Sequence, residues 1–317
     1  MPDLFAVDLA AIEEAAKRLE GFAHRTPVVT CRTLDRLAGR TLHLKCEHLQ
    51  KGGAFKFRGA FHAVSKLSDA AARRGVVTHS SGNHAQALAL SARMRGIEAH
   101  VVMPDNAPAV KRRAVEEYGA RVVSCEPTLE AREREAGAVI AATGATFIPP
   151  YDHADVIAGQ GTVALELLCE VPGLDVLVAP VGGGGLLSGV CIAAKALQPG
   201  IRVVGAEPLG ADDAARSKAA GRLLPQTGPR TLADGLLTSL GELTWPVIRD
   251  LVDDIVTVTE EDIVRAMRLS FERAKQLVEP SAAVALAAAM GPALAGARRV
   301  GVILSGGNVD LDRLPWA

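Results

Sequence analysis

Nothing in this chain points to a disulfide-built or metal-stapled scaffold. Its five cysteines, Cys31, Cys46, Cys125, Cys169 and Cys191, form no CxxC pair and no zinc-type spacing. An odd, dispersed set reads as reduced thiols of a cytoplasmic protein. Neither sign of charge is in surplus: 35 basic and 36 acidic residues leave a formal net charge of −1, which argues against nucleic acid and anionic membrane as partners. Apolar runs such as GTVALELLCEV are broken by charge well short of membrane-spanning length. The opening MPDLFAVDLAAIEEAAKRLE carries acidic side chains throughout, unlike a secretory or transit leader. Low-complexity tracts, Pro- or Ser-rich linkers and short repeats are missing too. These absences leave a soluble, cytoplasmic protein.

What is present is a long alternation of β-type runs and helical patterns. The 317 residues, 49% hydrophobic and 22% charged, suffice for a substantial core and roughly two domains. GVVTHS (75–80), AHVVMP (99–104) and RVVSCE (121–126) each precede a helical pattern, which predicts a small parallel sheet with crossover helices. A second series runs DVLVAP (175–180), RVVGAEP (202–208), DIVTVTE (254–259), a long helical stretch from Glu260, and VGVILSG (300–306). Strands that read as continuous Val, Ile and Leu are buried on both faces, so the fold class is α/β with mainly parallel sheets. In such folds ligands gather at the carboxyl ends of strands, and four loops there are notable.

The strongest is APVGGGGLLSG. Gly182, Gly183, Gly184 and Gly185 follow a strand and open a helix, so unobstructed backbone N–H groups and a helix N-terminus suit a phosphate, or the run is a merely tight strand-to-helix turn, which rarely needs four glycines. An NAD-binding oxidoreductase is disfavoured: GxGxxG would need glycine where Leu187 or Ser188 stands, although Glu207 lies near where a ribose-binding acid belongs. In THSSGNHAQAL, Ser80, Ser81, Asn83 and His84 crowd a strand end that runs into a helix; they suit a carboxylate, or form an elaborate N-cap. His79 and His84 lack metal-ligand spacing. In ILSGGNVDL, Ser305 ends an apolar strand and either meets a ligand or caps a turn. In AEPLGADDA, Glu207, Asp213 and the Ala211 carbonyl offer oxygens to a hard cation, or Asp212 or Asp213 caps the following helix.

The remaining oddity is KGGAFKFRGA, in which Lys56 sits between Phe55 and Phe57 just after Gly52 and Gly53. Aromatic flanks strip water from an ammonium, which lowers its pKa and frees a nucleophilic amine. The plainer reading is a surface helix start whose lysine snorkels past its neighbours.

Taken in order, LKCEHLQKGGAFKFRGA, THSSGNHAQALA, VIAGQGTVALEL, PVGGGGLLSG, AEPLGADDA and LSGGNVDL resemble the serine racemase and serine/threonine dehydratase family, from about residue 24 to residue 310. Its members are pyridoxal 5′-phosphate (PLP) enzymes of the tryptophan-synthase-β-like fold, fold type II. The resemblance implies a discontinuous large domain, residues 1–74 and 150–317, that binds the cofactor, and a small domain, 75–149, that carries a substrate loop. It implies that Lys56 holds the cofactor covalently and acts as general base. Gly182, Gly183, Gly184, Gly185 and Leu186 would cradle the phosphate, Asn83 would meet the phenolic oxygen, Ser305 the pyridine nitrogen, and Phe55 would wall the ring. Ser80, Ser81, Asn83, His84 and Arg132 would take the substrate, with Ser81 on the face opposite Lys56. Glu207, Ala211 and Asp213 match the family's divalent-cation site, for Mg²⁺, Ca²⁺ or Mn²⁺. The implied activity is L-serine/L-threonine dehydration with serine racemisation, or dehydration of 3-hydroxyaspartate, in a homodimer. No regulatory domain is expected after Ala317.

Overall fold

Runs of Val, Ile and Leu without polar alternation must be covered on both faces, and in the computed structural model they are. It describes residues 5–107 and 109–316, so the ends of the expected large domain, residues 1–4 and 317, lie outside the described residues. The strands are β1 (Val28–Val29), β2 (Thr41–Lys45), β3 (Val76–His79), β4 (Ala99–Pro104), β5 (Arg121–Cys125), β6 (Thr146–Phe147), β7 (Val176–Pro180), β8 (Arg202–Pro208), β9 (Asp254–Val258) and β10 (Arg299–Ile303). They form a six-stranded sheet in the order β1-β2-β10-β7-β8-β9 and a four-stranded sheet in the order β5-β4-β3-β6. Apart from the antiparallel β1–β2 pair, the pairings are parallel.

The strand order explains why loops far apart in sequence meet. β10 slots between β2 and β7, with Val302 opposite Leu44 on one side and Val178 on the other. The carboxyl ends of three neighbouring parallel strands therefore lead to the Lys56 segment, to Ser305 and to the glycine loop. β8, next in order, ends at Glu207 and Pro208. The smaller sheet contributes the end of β3, where His79 leads through Ser80 and Ser81 into the helix Asn83–Arg95.

Helices cover both sheets, and close backbone approach holds two of them together near the site. The helix Ala154–Glu170 crosses the helix Lys56–Lys66 where Gly159 faces Gly59; a Cβ on Gly159 would lie 2.6 Å from the Gly59 Cα. Beneath this crossing lies a buried ion network. Arg58 donates from Nε and Nη2 to the Glu47 carboxylate at 2.8 Å each, and from Nη1 to Glu166 at 2.6 Å. Lys45 donates to Glu166 at 2.6 Å. Removing one partner from such a network strands an uncompensated charge, at about 3–5 kcal/mol. It pins the helix that begins at Lys56 to β2 and to the helix Ala154–Glu170.

The long helical stretch expected from Glu260 is interrupted. The helix Glu260–Leu269 passes into a π-type turn, Ser270–Ala274, and Lys275 takes the left-handed conformation at φ 59° before a new helix, Pro280–Met290. Pro280 suits a first helical position, where its missing N–H costs nothing. Among the described residues, no helix is long and apolar enough to cross a membrane.

Candidate active site

Lys56 opens its helix directly after Phe55. Its amine donates to the Pro150 carbonyl at 2.6 Å and lies 5.1 Å from the centroid of the Phe55 ring. Burial pushes it down to about 8, against the opposing pull of the Glu279 carboxylate. The snorkelling alternative therefore fails, because the amine points inward.

The segment around Lys56 is stitched to the end of β10. The Phe55 N–H donates to the Ser305 carbonyl at 3.0 Å, Ala54 bridges to Gly306, and the Gly307 N–H donates to the Gly53 carbonyl at 2.9 Å. Ser305 is buried, so its hydroxyl is no surface turn cap.

The four glycines form an open cradle. Among the described residues, the N–H groups of Gly182 to Gly185 donate to no protein acceptor, as expected of donors left over ahead of a helix, here Gly185–Leu197. Gly184 lies in the left-handed region at φ 87°. Thr244 donates to the Gly183 carbonyl at 2.8 Å and holds that oxygen away. A Cβ on Gly183 would fall 2.3 Å from the Tyr151 ring, so only glycine fits beneath that aromatic wall. Leu186 is buried in the first turn.

The smaller sheet brings the serine loop to the same region. Ser80, Ser81 and Asn83 are half-buried, and Ser80 Oγ accepts from the Gly82 N–H at 3.3 Å. Asn83 Nδ2 donates to Glu279 at 2.7 Å, so the loop reaches the other sheet's helix Pro280–Met290. His84 is buried and its Nε2 donates to the Ile148 carbonyl at 2.9 Å; burial, with the nearby Lys56 charge, pushes it down to about 3. It is neutral, ties the loop to the segment carrying Pro150, and has no partner for Nδ1 among the described residues. Arg132, half-buried on the helix Leu129–Thr143, places its charge near His79 and Cys125, at the ends of β3 and β5. Its Nε has no protein partner among the described residues.

This arrangement combines a desolvated lysine, a bare anion cradle and a polar loop tied by Asn83 and His84 to the neighbouring segments. Residues 19–306 match the family described as pyridoxal-phosphate dependent enzymes. The chain belongs to that family. It is 50% identical to a serine racemase of Arabidopsis thaliana over 98% of this chain and 96% of the relative. It is 48% identical to a beta-hydroxyaspartate dehydratase of Paracoccus denitrificans over 95% and 96%. Among solved structures it superposes on maize serine racemase with a TM-score of 0.96 at 48% identity, covering 97% of this chain and 95% of the other.

The residues fit the family's cofactor. Its phosphate needs donors without competing acceptors, which the glycine loop has, and its aldehyde needs an amine of lowered pKa, which Lys56 has. Further along the same sheet edge, Glu207 and Asp213 are buried together. Burial first, then the Asp213 charge, pushes Glu207 up to about 8, and burial pushes Asp213 up to about 6. The cap of the following helix comes from Glu207, which accepts from the N–H groups of Ala214 at 3.1 Å and Ala215 at 2.8 Å. Asp212 instead pairs with Arg216 at 2.8 Å. Among the described residues no three His, Cys, Asp or Glu side chains gather as metal ligands.

Four residues at the site escape sequence reasoning. Pro150 acts through its carbonyl, which carries no residue signature. Tyr151 is one of two tyrosines in the chain and sits in the polar run PPYDHAD. Glu279 precedes Pro280, and Asn308 follows the paired glycines after Ser305; both lie in or beside stretches dominated by small and apolar residues.

Proposed function

We propose that this enzyme dehydrates L-serine and L-threonine to a 2-oxo acid and ammonia, and also racemises serine. The observation that carries the reading is the inward-turned Lys56 amine, set between the Phe55 ring and the Pro150 carbonyl near an unpartnered glycine cradle. The serine racemase relatives at about half identity support the substrate class.

Lys56 would hold the cofactor covalently, with the N–H groups of Gly182 to Gly185 and Leu186 on its phosphate, Asn83 on its phenolic oxygen, Ser305 on its pyridine nitrogen and Phe55 against the ring. When bound, pyridoxal 5′-phosphate supplies an electron sink for the pair left when Cα gives up its proton. A hydroxyl at Ser305, unlike a carboxylate, does not force a proton onto the ring, which moderates that sink. Once the substrate's own amine has taken its place on the cofactor, the freed Lys56 amine, with its proton affinity lowered by burial, would take the Cα proton on one face. The Ser81 hydroxyl faces the other side and returns or removes a proton there, giving racemisation. Loss of the β-hydroxyl before reprotonation gives the lyase outcome. Ser80, Ser81, Asn83 and neutral His84 form the wall for the substrate carboxylate, with Arg132 supplying positive charge at the loop's edge.

The division into a cofactor-binding large domain and a small domain, 75–149, belongs to the same proposal, as do a homodimer and a cytoplasmic location. So does a divalent cation, Mg²⁺, Ca²⁺ or Mn²⁺, on Glu207, Asp213 and the Ala211 carbonyl: two carboxyl groups buried side by side, each with raised proton affinity, offer oxygens from which a cation would displace the proton. Products from a panel of L-serine, L-threonine and 3-hydroxyaspartate test the reading. Pyruvate together with D-serine from L-serine is expected. Turnover confined to 3-hydroxyaspartate would favour the reaction named for the Paracoccus relative.

A further inference from the structure

An amide side chain has an accepting end and a donating end, and a cofactor's ring oxygen is served well only by the second. Which end Asn83 presents is decided by a chain of hydrogen bonds whose polarity starts at a main-chain atom. The Gly52 carbonyl can only accept. Asn308 donates to it from Nδ2 at 2.8 Å, which fixes the orientation of the Asn308 amide. The second hydrogen of the same Nδ2 goes to Asn83 Oδ1 at 2.8 Å, which fixes the Asn83 amide in turn. Asn83 Nδ2 then faces Glu279 Oε1 and donates to it at 2.7 Å.

With Oδ1 occupied by Asn308 and one hydrogen committed to Glu279, the Asn83 side chain has a single N–H left to offer. The relay also sits against the loop that follows Ser305. A Cβ on Gly306 would lie 2.5 Å from Glu279 Oε1 and 3.1 Å from Asn83 Nδ2, and a Cβ on Gly53 would lie 2.5 Å from Asn308 Oδ1. The relay therefore packs against two bare glycines, at positions where any side chain would collide with it.

We propose that Asn308 and Glu279 are positioning residues that lock Asn83 with its N–H, and not its carbonyl, available to the cofactor's phenolic oxygen. The proposal rests on the reading of Asn83 given above. It makes the site selective for the cofactor with that oxygen as an anion, because a locked donor stabilises the anion and a reversed amide would repel it. The substitution that isolates the effect is Asn308→Asp, which keeps the shape but turns both donors into acceptors. Gly52 is then left facing an acceptor, and Asn83 must reverse to satisfy the new carboxylate. Asn308→Leu removes the polarity without adding charge.

The test is a double-mutant cycle on holoenzyme, read by PLP affinity in equilibrium dialysis and by the bound cofactor's visible absorbance band. Asn308→Asp is expected to weaken PLP binding roughly tenfold or more, the scale of one hydrogen bond to a charged group, and to move the visible band, with Asn308→Leu intermediate. In an Asn83→Ala background both substitutions should change affinity by less than about twofold, since there is no amide left to orient. Equal losses in the two backgrounds, or no loss in the first, would overturn the proposal in favour of a merely structural role. Borohydride reduction followed by peptide mapping of the unsubstituted enzyme separates this from failure of the site reading. A label at Lys56 with a flat cycle refutes only the relay, whereas no label at Lys56 refutes the site and the relay with it.

Discussion

The Phe55 N–H and the Ser305 carbonyl, far apart in sequence, are joined at 3.0 Å. That bond joins the residue before Lys56 to the residue proposed to meet the pyridine nitrogen. The main-chain spacing between Lys56 and Ser305, the two proposed contacts at opposite ends of the cofactor, is thereby held by a backbone hydrogen bond.

Two faces of one Cα–H require two groups. Ser81→Ala is expected to abolish D-serine formation and leave pyruvate formation from L-serine within a few-fold of the parent. Chiral product analysis beside a pyruvate assay measures both, and equal loss of the two activities would contradict the two-face assignment.

The Gly183 position tolerates no side chain, because a Cβ would enter the Tyr151 ring. Gly183→Ala is therefore expected to displace Tyr151 or the loop, at about 1–3 kcal/mol of stability, and to weaken PLP binding. Melting temperature and equilibrium dialysis report the two effects. An unchanged PLP affinity would remove this glycine from the cradle.

His84 is buried without its proton, and burial holds it at about 3 against an ordinary value of 6.5. The unfolded chain binds a proton below 6.5 that the folded chain refuses until about 3. The group's contribution is thus complete above 6.5 and falls as pH drops through that window, by about 1.4 kcal/mol per pH unit. His84→Gln should flatten the acid limb of a stability–pH curve between those limits, as chemical denaturation at several pH values would show. A limb of unchanged steepness would mean that other groups govern it.

Glu207 and Asp213 gain from a cation only if it is bound. Adding a chelator to enzyme purified with Mg²⁺ or Ca²⁺ should lower the melting temperature, and a cation at a hundredfold its Kd is worth about 2.7 kcal/mol. Glu207→Ala should remove that response. An enzyme indifferent to chelator would leave Glu207 as a helix cap and no more.

Much of the architecture is legible in the sequence. β3, β4, β7, β8 and β10 are near-continuous apolar runs, and their carboxyl ends carry Ser80–Asn83, the glycine loop, Glu207 and Ser305. β2 is less legible: His43 breaks its apolar run, and it joins a sheet because β10, near the other end of the chain, pairs along it. The interruption at Ser270–Ala274 is hidden because its residues suit a helix, while Lys275 adopts a left-handed conformation that no composition signals. Lys56 stands out by its aromatic flanks, but its Pro150 acceptor depends on a loop that follows the smaller sheet. Glu279, Asn308 and Tyr151 act through loops brought together by strand order, so local pattern says nothing of them.

The central claim is a covalent bond between Lys56 and pyridoxal 5′-phosphate, and reduction with borohydride followed by peptide mass mapping tests it most directly. The expected result is loss of the visible absorbance band together with a single pyridoxyl-phosphate adduct on Lys56. An adduct on any other lysine, with Lys56 unmodified, would contradict the account.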